Sequence, residues 1–357
     1  MSSDIPSTIE AITPEWLNTI VFPHHTDNRI VAVKSTQIGE GRGFLSQTFV
    51  VHLTFENPER DNRPSSIVVK MQPKDGWNVA AEAELSAFER EVSFYRDIAP
   101  DLPIRLPKVF FAEASERGHI LVIENLSHHK GGDQVRGMPH EQVLATARQI
   151  ANLHAAFWDN DAVHALEWAP KHDYFHVHTY VDQWPRFAEE FSLRLGPDAM
   201  RIGETIAGNI DRLEARIAER PLALVHGDLR ADNLMVRPDE PTDVVIIDWQ
   251  LTGRNLATLD IARLMGGSEP PAERSGHQLE VVETWHGALS DAGVSAYNFE
   301  DARHDFRLAA LHCLVIPVKM HNLNGDNPSG RAGRLLDAMA QRFFAAALEV
   351  EAEQALA

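Results

Sequence analysis

The stretch that decides the fold covers residues 221–250, PLALVHGDLRADNLMVRPDEPTDVVIIDWQ. It contains two apolar segments, Leu222–Val225 and Val244–Ile247, and each of them leads into an acidic residue. Asp228 follows the first segment after two loop residues, and Asp248 follows the second directly. Turn residues separate two β-branched segments between these aspartates, a pattern that predicts a hairpin. Two carboxylates are therefore expected at strand ends.

The spacing of the polar side chains in this stretch points to phosphoryl transfer. Asn233 lies five positions after Asp228, and Asp248 lies further downstream. In kinases the catalytic loop places an aspartate five residues before a metal-binding asparagine, with a second metal-binding aspartate downstream. Carboxylate and amide oxygens are also ligands that Mg²⁺ prefers when phosphates and water complete its shell. The alternative is an ordinary turn rich in Asp and Asn between two strands.

Composition limits the classes of partner. The chain has 357 residues, 44% of them hydrophobic, and a formal net charge of −19. Its length favours two lobes or domains. Nucleic acid and anionic membranes both need clustered Lys and Arg, so neither is an expected partner. The sequence has no apolar run of ~20 residues that would span a membrane, and its first residues do not resemble a signal peptide, so a cytoplasmic location is predicted.

Cysteine and histidine usage gives little sign of a metal cluster. Cys313 is the only cysteine, which excludes an intrachain disulfide and a cysteine-based cluster within this sequence. It lies in an apolar stretch and is expected to be buried. The His-rich segment with His172, His176 and His178 does not match a known zinc spacing. Whether this segment has a role is left open.

The first third of the chain has the pattern of a nucleotide-binding lobe. Thr13 is a predicted helix N-cap with Pro14 in the first helical position. Apolar alternation then predicts five strands and one helix, followed by mostly helical periodicity. The predicted strands cover residues 31–38, 48–55, 66–71, 108–112 and 119–123, and the helix covers residues 80–98. This change of pattern predicts an N-terminal lobe over residues 1–124 and a catalytic and substrate-binding lobe over residues 125–357.

A glycine-rich turn joins the first two predicted strands. Its residues 39–46, GEGRGFLS, include Gly39, Gly41, Gly43 and Ser46. Small residues allow backbone N–H groups to approach phosphate oxygens, so these four residues are candidate nucleotide contacts. The turn is not a Walker A loop, because no Gly-Lys-Ser/Thr ends it. An ordinary hairpin turn is the alternative.

Two further features fit a nucleotide site. Lys70 interrupts the third predicted strand, and Glu91 lies in the middle of the predicted helix, so the two side chains are expected to pair and to position the lysine for ATP phosphates. The alternative places Lys70 on a solvent-facing side of the sheet. At the crossover between the lobes, backbone groups of Glu124 and Leu126 are expected to contact the nucleotide base.

Helical periodicity dominates the rest of the chain. Helices are predicted over residues 141–158, 257–265, 273–291, 299–318 and 330–353, with a polar loop over residues 322–329. His154 is expected to be a hydrogen-bonded core residue. Asp260 either braces the catalytic loop or lies in solvent. Pro317 is expected to end or kink its helix.

These motifs together resemble the aminoglycoside phosphotransferase and choline kinase-like superfamily. His226-Gly227-Asp228 with Asn233 resembles its catalytic-loop signature, and Asp248-Trp249-Gln250 resembles its metal-binding signature. Residues 88–95, FEREVSFY, and 123–126, IENL, are most similar to the ecdysteroid-kinase-like, or CHK-kinase-like, branch. The resemblance covers residues 31–265 in the same order.

The resemblance implies an α+β, bilobal protein-kinase-like fold. Its N-lobe would hold a five-stranded antiparallel sheet with one main helix, and its mostly helical C-lobe would hold the catalytic hairpin. The implied activity is ATP- and Mg²⁺-dependent phosphorylation of a hydroxyl on a small molecule. The implied roles are a catalytic base for Asp228, metal ligands for Asn233 and Asp248, and ATP-phosphate contacts for Lys70 with Glu91. Arg230 stands where protein kinases place a lysine near the γ-phosphate.

The acceptor is left open by the sequence. The branch resemblance favours a lipophilic or uncharged alcohol, and an aminoglycoside- or choline-type cation is the alternative, which would need acidic or aromatic walls. Trp168, Trp184 and Trp285 permit either. Trp249 and Gln250 replace the Phe-Gly of protein kinases, which favours a small-molecule substrate. A catalytically silent nucleotide-binding pseudokinase is the alternative of another class, and the choice between ATP and GTP and the oligomeric state stay open.

Overall fold

The chain forms two compact units. The structure, a computed structural model, describes residues 5–25, 27–38, 46–60, 63–72, 86–115, 118–171, 177–324 and 330–357. The first unit comprises Met1–Leu102, Leu106–His128 and Ile247–Thr252. The second comprises Pro103–Arg105, His129–Ile246 and Gly253–Ala357. Asp248 therefore belongs to the first unit, whereas Asp228 and Asn233 belong to the second.

A five-stranded antiparallel sheet forms the centre of the first unit. Its strands are β1 (Ile30–Ile38), β2 (Gln47–Phe55), β3 (Ser66–Met71), β4 (Val109–Ser115) and β5 (Gly118–Glu124). They lie in the order β1-β2-β3-β5-β4. The predicted α+β class and five-stranded sheet are confirmed.

The buried residues of this sheet show why its strands form where the alternation predicted. In β3, Ile67, Val69 and Met71 are buried on one face, so that Lys70 points to the other. The apolar cluster on the buried face also includes Leu17 and Phe22 from the N-terminal segment. That segment is therefore part of the core of the unit.

Two short helices complete the first unit. Helix α1 (Pro14–Trp16) begins as predicted, because Thr13 Oγ1 accepts a hydrogen bond from Trp16 N at 3.1 Å. Helix α2 (Ala87–Ser93) continues into a wide helical turn at Phe94–Ile98. The first residues of the helix predicted over 80–98 lie outside the described part of the chain, which resumes at residue 86.

The second unit is mostly helical. Its helices are α3 (His140–Ala156), α4 (Asp161–His164), α5 (Tyr180–Ala207), α6 (Ile210–Ala218), α7 (Thr258–Ser268), α8 (Glu280–Asp291), α9 (Phe299–Cys313), α10 (Val315–Asn324) and α11 (Gly330–Glu349). Gly196 has a non-helical backbone and breaks α5 in its middle. In the described residues no helix combines the length and apolar character needed to cross a membrane.

Two helix predictions and one loop prediction need correction. The helix expected over 273–291 begins only at Glu280, because turns occupy the preceding residues. The helix expected over 299–318 ends at Cys313 and a new helix starts at Val315, so Pro317 lies in a first turn, where its missing N–H costs nothing. Residues 322–324 of the predicted polar loop are helical, and residues 325–329 lie outside the described part.

The predicted hairpin is confirmed. Strands β8 (Leu234–Arg237) and β9 (Glu240–Ile246) pair antiparallel, and β6 (Lys130–Gly131) pairs with β8. The apolar segment before the catalytic loop is β7 (Leu222–Val225), which pairs with β10 (Gly253–Leu256). The pairing of β7 with β10 holds Val225, the residue directly before the catalytic loop, in place.

The close approach of two residues within α5 gives a test of the packing. A Cβ atom added at Gly203 would overlap the ring of buried Trp184, so Gly203→Ala is expected to lower the free energy of unfolding by about 1–3 kcal/mol. Urea unfolding followed by circular dichroism measures this change.

Gly287 in α8 is the matched control. A Cβ at Gly287 would meet no atom within 4 Å, so Gly287→Ala is expected to raise the free energy of unfolding by about 0.5–1 kcal/mol through helix propensity. Equal effects of the two substitutions would contradict the packing described for α5.

Candidate active site

In the first unit, a buried ion pair joins the sheet to the helix. Lys70 Nζ lies 2.6 Å from Glu91 Oε1, and only 14% of the lysine side chain is exposed. Glu91 is fully buried, and its second oxygen, Oε2, accepts a hydrogen bond from Gln250 Nε2 at 3.2 Å. The predicted pairing is confirmed, and the alternative of a solvent-facing Lys70 is wrong.

The segment Asp248-Trp249-Gln250 is fastened to α2 and the turn that follows it. The Trp249 ring stacks on Phe94 with their centroids 3.8 Å apart and an interplanar angle of 8°. Gln250 Nε2 also donates to Ser46 Oγ at 3.2 Å. Trp249 and Gln250 therefore hold Asp248 in place from the chain positions directly after it.

Asp248 has the features of a cation ligand. Its backbone has φ 67°, a left-handed conformation that is uncommon for a residue with a side chain and occurs often at functional sites. Among the described side chains, none donates a hydrogen bond to its buried Oδ1. Lys70 Nζ lies 3.9 Å from that oxygen. An unsatisfied carboxylate oxygen beside an ammonium group fits a site for Mg²⁺ and phosphate.

The same carboxylates set the charge of Lys70. Burial by itself would lower the pKa of this lysine, but the neighbouring Glu91 and Asp248 carboxylates outweigh burial and raise it. Lys70 therefore carries a stable positive charge, which a phosphate contact requires.

In the second unit, the catalytic loop follows β7 and is held by α7. Asp260 Oδ2 accepts a hydrogen bond from His226 N at 2.7 Å, and Asp260 Oδ1 accepts one from Gly227 N at 2.9 Å. Gly227 has φ 79°, a conformation that glycine adopts without strain. His226 Nδ1 accepts from Asp228 N at 3.1 Å. Asp260 thus braces the loop, and the alternative of a solvated aspartate is wrong.

Behind Asp260 lies a buried polar chain. Trp285 Nε1 donates to His154 Nδ1 at 2.9 Å, which leaves the His154 Nε2 proton for Asp260 Oδ2 at 3.2 Å. All three side chains are buried. His154 is therefore a hydrogen-bonded core residue, as predicted. Burial would raise the pKa of Asp260, but the hydrogen bonds that its carboxylate accepts from His154 and from the His226 backbone outweigh burial and lower that pKa.

The Asp228 carboxylate receives hydrogen bonds on both oxygens. Arg263 Nε donates to Oδ1 at 2.8 Å, and Arg263 Nη2 is also bonded to Oδ1. Arg230 Nε and Asn233 Nδ2 both donate to Oδ2, each at 2.9 Å. Asn233 Nδ2 also donates to the Asp228 carbonyl at 2.8 Å, so its amide nitrogen is bound to both the backbone and the side chain of Asp228.

This environment keeps Asp228 ionised. Burial alone would raise the pKa of its carboxyl group, but the guanidinium groups of Arg230 and Arg263 overcome burial and hold that pKa far below its usual range. A carboxylate of this kind orients a hydroxyl strongly but retains a proton weakly.

Arg230 belongs to a wider ion-pair network. Its Nη1 donates to Asp232 Oδ2 and to Gln134 Oε1, both at 2.8 Å. Arg331, at the start of α11, donates to Asp232 and to Asp133. The last helix of the chain is therefore linked by charge to the catalytic loop.

Other predicted site residues have mixed outcomes. Gly39, Gly41 and Gly43 lie outside the described residues. Ser46 is described and meets Gln250. Glu124 N donates to Lys108 O at 2.8 Å, so this N–H is engaged, and contact of Glu124 and Leu126 with a base stays a prediction.

The burial of the tryptophans and of Cys313 decides which of them can line a binding site. Trp184 and Trp285 are buried in the core, so they do not offer the aromatic wall for an acceptor that the sequence allowed. Cys313 is buried as expected, and burial raises its pKa to about 12. His178 is exposed, and His172 and His176 are not described. Within the described residues, no group of His, Cys, Asp and Glu could hold a metal ion by itself.

Sequence reasoning missed the roles of Arg263, Trp249 and Gln250. Arg263 lies three residues after Asp260, so the two share one side of α7, and this spacing was the available signal. The two residues after Asp248 were recognised as part of a metal-binding signature and as a difference from protein kinases, but their packing was not predicted. Their contacts with Phe94 and Glu91 depend on long-range packing that periodicity does not reveal.

Solved structures share this fold. One is a candidate aminoglycoside phosphotransferase from Ralstonia eutropha JMP134, with TM-score 0.54 and 18% identity, covering 94% of this chain and 98% of that one. Another is a GDP complex of a variant of aminoglycoside 2'-phosphotransferase-IIIa, with TM-score 0.51 and 14% identity, covering 96% and 97%. These similarities confirm a kinase-like fold.

The family comparison gives the class of this protein, a phosphotransferase. The chain belongs to the phosphotransferase enzyme family APH, which it matches over residues 41–297. The predicted superfamily and the predicted enzyme class are thereby confirmed.

One curated relative shares only a segment with this chain. A stretch of 120 residues is 29% identical to part of a probable acyl-CoA dehydrogenase of Arabidopsis thaliana. The match covers 33% of this chain and 14% of that protein. A third of this chain is therefore similar to a small part of that relative.

The bracing of the loop by Asp260 can be tested through stability. Because the folded-state pKa of Asp260 is lowered, its contribution is complete above about pH 4, the ordinary value for an aspartate. The contribution is lost as the pH falls through the lowered folded value. Asp260→Asn is expected to lower the free energy of unfolding by about 3 kcal/mol at pH 7 and by less at pH 3.

Urea unfolding at the two pH values measures this difference. Asp239→Asn, at an exposed turn, is the control and should leave the unfolding midpoint unchanged at pH 7. A loss for Asp260→Asn that is the same at both pH values would contradict the role of its negative charge.

Proposed function

We propose that this protein is an ATP- and Mg²⁺-dependent phosphotransferase that phosphorylates a hydroxyl group of a small molecule. The observation that carries the proposal is the position of Lys70. It is paired with buried Glu91 and lies 3.9 Å from the unsatisfied Oδ1 of Asp248. A fixed ammonium beside a free carboxylate oxygen supports binding of a metal–phosphate group. Membership of the phosphotransferase enzyme family supports the reaction.

The residues around Lys70 in the first unit and around Asp228 in the second unit have separate parts in the proposed reaction. Lys70, held by Glu91, binds phosphate oxygens of ATP. Asn233 and Asp248 offer the oxygens that would hold magnesium, which when bound neutralises negative charge on the phosphates. Arg230, which can exchange carboxylate partners for phosphate, is proposed to contact the γ-phosphate. Gly39, Gly41, Gly43 and Ser46 are proposed as further phosphate contacts, and Glu124 and Leu126 as contacts for the base.

The transfer itself needs little covalent chemistry from the protein. The acceptor hydroxyl oxygen forms a bond to the γ-phosphorus, and the bond from that phosphorus to the oxygen bridging to the β-phosphate breaks, so that ADP leaves with the electron pair. The hydroxyl proton passes to Asp228. In a loose transition state the proton leaves late, so orientation of the hydroxyl matters more than basicity. The low pKa of Asp228 suits this orienting role.

The surroundings of Asp228 bear on the acceptor. Two guanidinium groups, from Arg230 and Arg263, already balance its negative charge. A cationic acceptor such as an aminoglycoside or choline would be repelled by them unless other acids compensated. This supports the uncharged or lipophilic alcohol that the CHK-kinase-like resemblance favours. A cytoplasmic location and the division into a nucleotide lobe, residues 1–124, and a catalytic lobe, residues 125–357, are part of the same proposal.

Removal of the Asp228 carboxylate tests its role. Asp228→Asn is expected to lower turnover by about 10²–10⁴-fold, because the hydroxyl loses its orienting anion. ATP with magnesium should still raise the melting temperature of the variant. ADP formation in the presence of a panel of alcohols measures turnover, and Asp198→Asn, at an exposed position, is the control. Undiminished turnover of Asp228→Asn would contradict the assignment.

Removal of the Asp248 charge tests the metal site. Asp248→Asn is expected to raise the magnesium concentration for half-maximal stabilisation by ATP at least about tenfold. Loss of a residue that only hydrogen-bonds a metal ligand already lowers metal affinity by this factor, and loss of a ligand should cost no less. Differential scanning fluorimetry at a fixed ATP concentration measures this without an acceptor. The same magnesium dependence in the variant and the unchanged chain would exclude Asp248 as a ligand.

A further inference from the structure

We propose, on the basis of the function proposed above, that Arg263 is a positioning residue that fixes the Asp228 carboxylate for the acceptor hydroxyl. Arg263 contacts neither the hydroxyl nor the phosphates in this account. It acts through Asp228, whose Oδ1 it binds with two nitrogen atoms.

Helix α7 holds the catalytic loop at two points. Asp260 and Arg263 lie three residues apart in α7, so their side chains leave the same side of the helix. Asp260 binds the backbone of His226 and Gly227, and Arg263 binds the side chain of Asp228. Consecutive loop residues are thereby fixed relative to one rigid element, in backbone and in side chain.

Helix α7 is itself held in place by close packing. Its residues Ile261, Leu264 and Met265 are fully buried. A Cβ atom at Gly266 would meet the Phe343 ring of α11 at 2.6 Å, so the two helices are in close contact. A guanidinium carried by such a helix has a fixed origin, and 89% of the Arg263 side-chain surface is removed from solvent, since only 11% is exposed. Arg263 can therefore fix the orientation of the Asp228 carboxylate.

Arg230 differs from Arg263 in its position, its exposure and its other hydrogen-bond partners. This arginine lies on the loop itself, two residues after Asp228, and is twice as exposed, at 22%. Its guanidinium is shared with Asp232 and Gln134. Arg230 has other acceptors to bind if it leaves Asp228, so a substrate group can take its place on that carboxylate. Arg263 is suited to keep the carboxylate in position.

The different roles of Arg230 and Arg263 matter because all acceptor sites of the Asp228 carboxylate are occupied. A carboxylate has about four lone-pair sites. Arg263 takes both contacts on Oδ1, and Arg230 and Asn233 take those on Oδ2. A hydroxyl must therefore replace one donor, and Arg230 on Oδ2, which is less buried than Arg263, is the replaceable one. Oδ1, held by Arg263, keeps the carboxylate plane in place during the exchange.

The test uses the full chain with ATP and magnesium, and measures ADP formation with water and with a panel of alcohols as acceptors. Arg263→Gln is expected to lower kcat about 100-fold with an unchanged KM for ATP, because misplacement of a reacting group by about 1 Å has this effect. Arg263→Lys, which keeps the charge but not the two-nitrogen contact, is expected to lose about tenfold. Arg237→Gln, with an exposed side chain, is the control.

Two further variants separate positioning from folding. Added ethylguanidinium should restore part of the kcat of Arg263→Ala, because the small cation can occupy the vacated space beside Asp228. In the Asp228→Asn background, Arg263→Gln should have no further effect on kcat, since its action passes through that carboxylate.

The outcomes distinguish the inference from the function on which it rests. An inactive Asp228→Asn together with a fully active Arg263→Gln overturns the inference and keeps the proposed function. Independent, additive losses for the two substitutions, or no rescue by ethylguanidinium, also overturn the inference. Wild-type turnover of Asp228→Asn, or no ADP formation by the unchanged chain with any acceptor, overturns the proposed function itself.

Discussion

The hydrogen bonds accepted by the Asp260 carboxylate are the constraint on which the candidate catalytic loop depends. They bind two successive backbone N–H groups, of His226 and Gly227, at 2.7 and 2.9 Å. Without an acceptor these buried donors would carry the full cost of desolvation. His154 and Trp285 extend the contact inward, so the loop is joined to the buried core of the second unit. The direction of Asp228 follows from this attachment.

The first unit uses a buried carboxylate in a similar way. Glu91 divides its two oxygens between Lys70 and Gln250, and so connects the sheet to the residues around Asp248. The stacking of Trp249 on Phe94 adds an apolar anchor to the same segment. In each unit, a carboxylate without solvent contact holds the groups proposed to act on the substrates. Positions of this kind fit a reaction in which placement and charge supply most of the catalysis.

Local sequence patterns predicted the parts of the site that depend on local spacing. The interval between Asp228 and Asn233, the strand that carries Lys70 and the helix that carries Glu91 follow from spacing and periodicity. Residues whose roles depend on packing between distant segments were not predictable in the same way. Arg263 reaches Asp228 across 35 positions of the chain. Trp184 and Trp285 were open to a role at the surface, and only the packing of the helices shows that they belong to the core.

The proposed reaction is the transfer of the γ-phosphoryl group of ATP to a small-molecule hydroxyl, with Asp228 as the orienting carboxylate. The most direct measurement is to incubate the chain with magnesium, ATP labelled with ¹⁸O in the γ-phosphate and a metabolite extract, and to identify labelled products by mass spectrometry. The account predicts a small-molecule phosphate monoester that carries the label with the unchanged chain and is absent with Asp228→Asn. Label found only in inorganic phosphate, or the same labelled ester from both proteins, would contradict it.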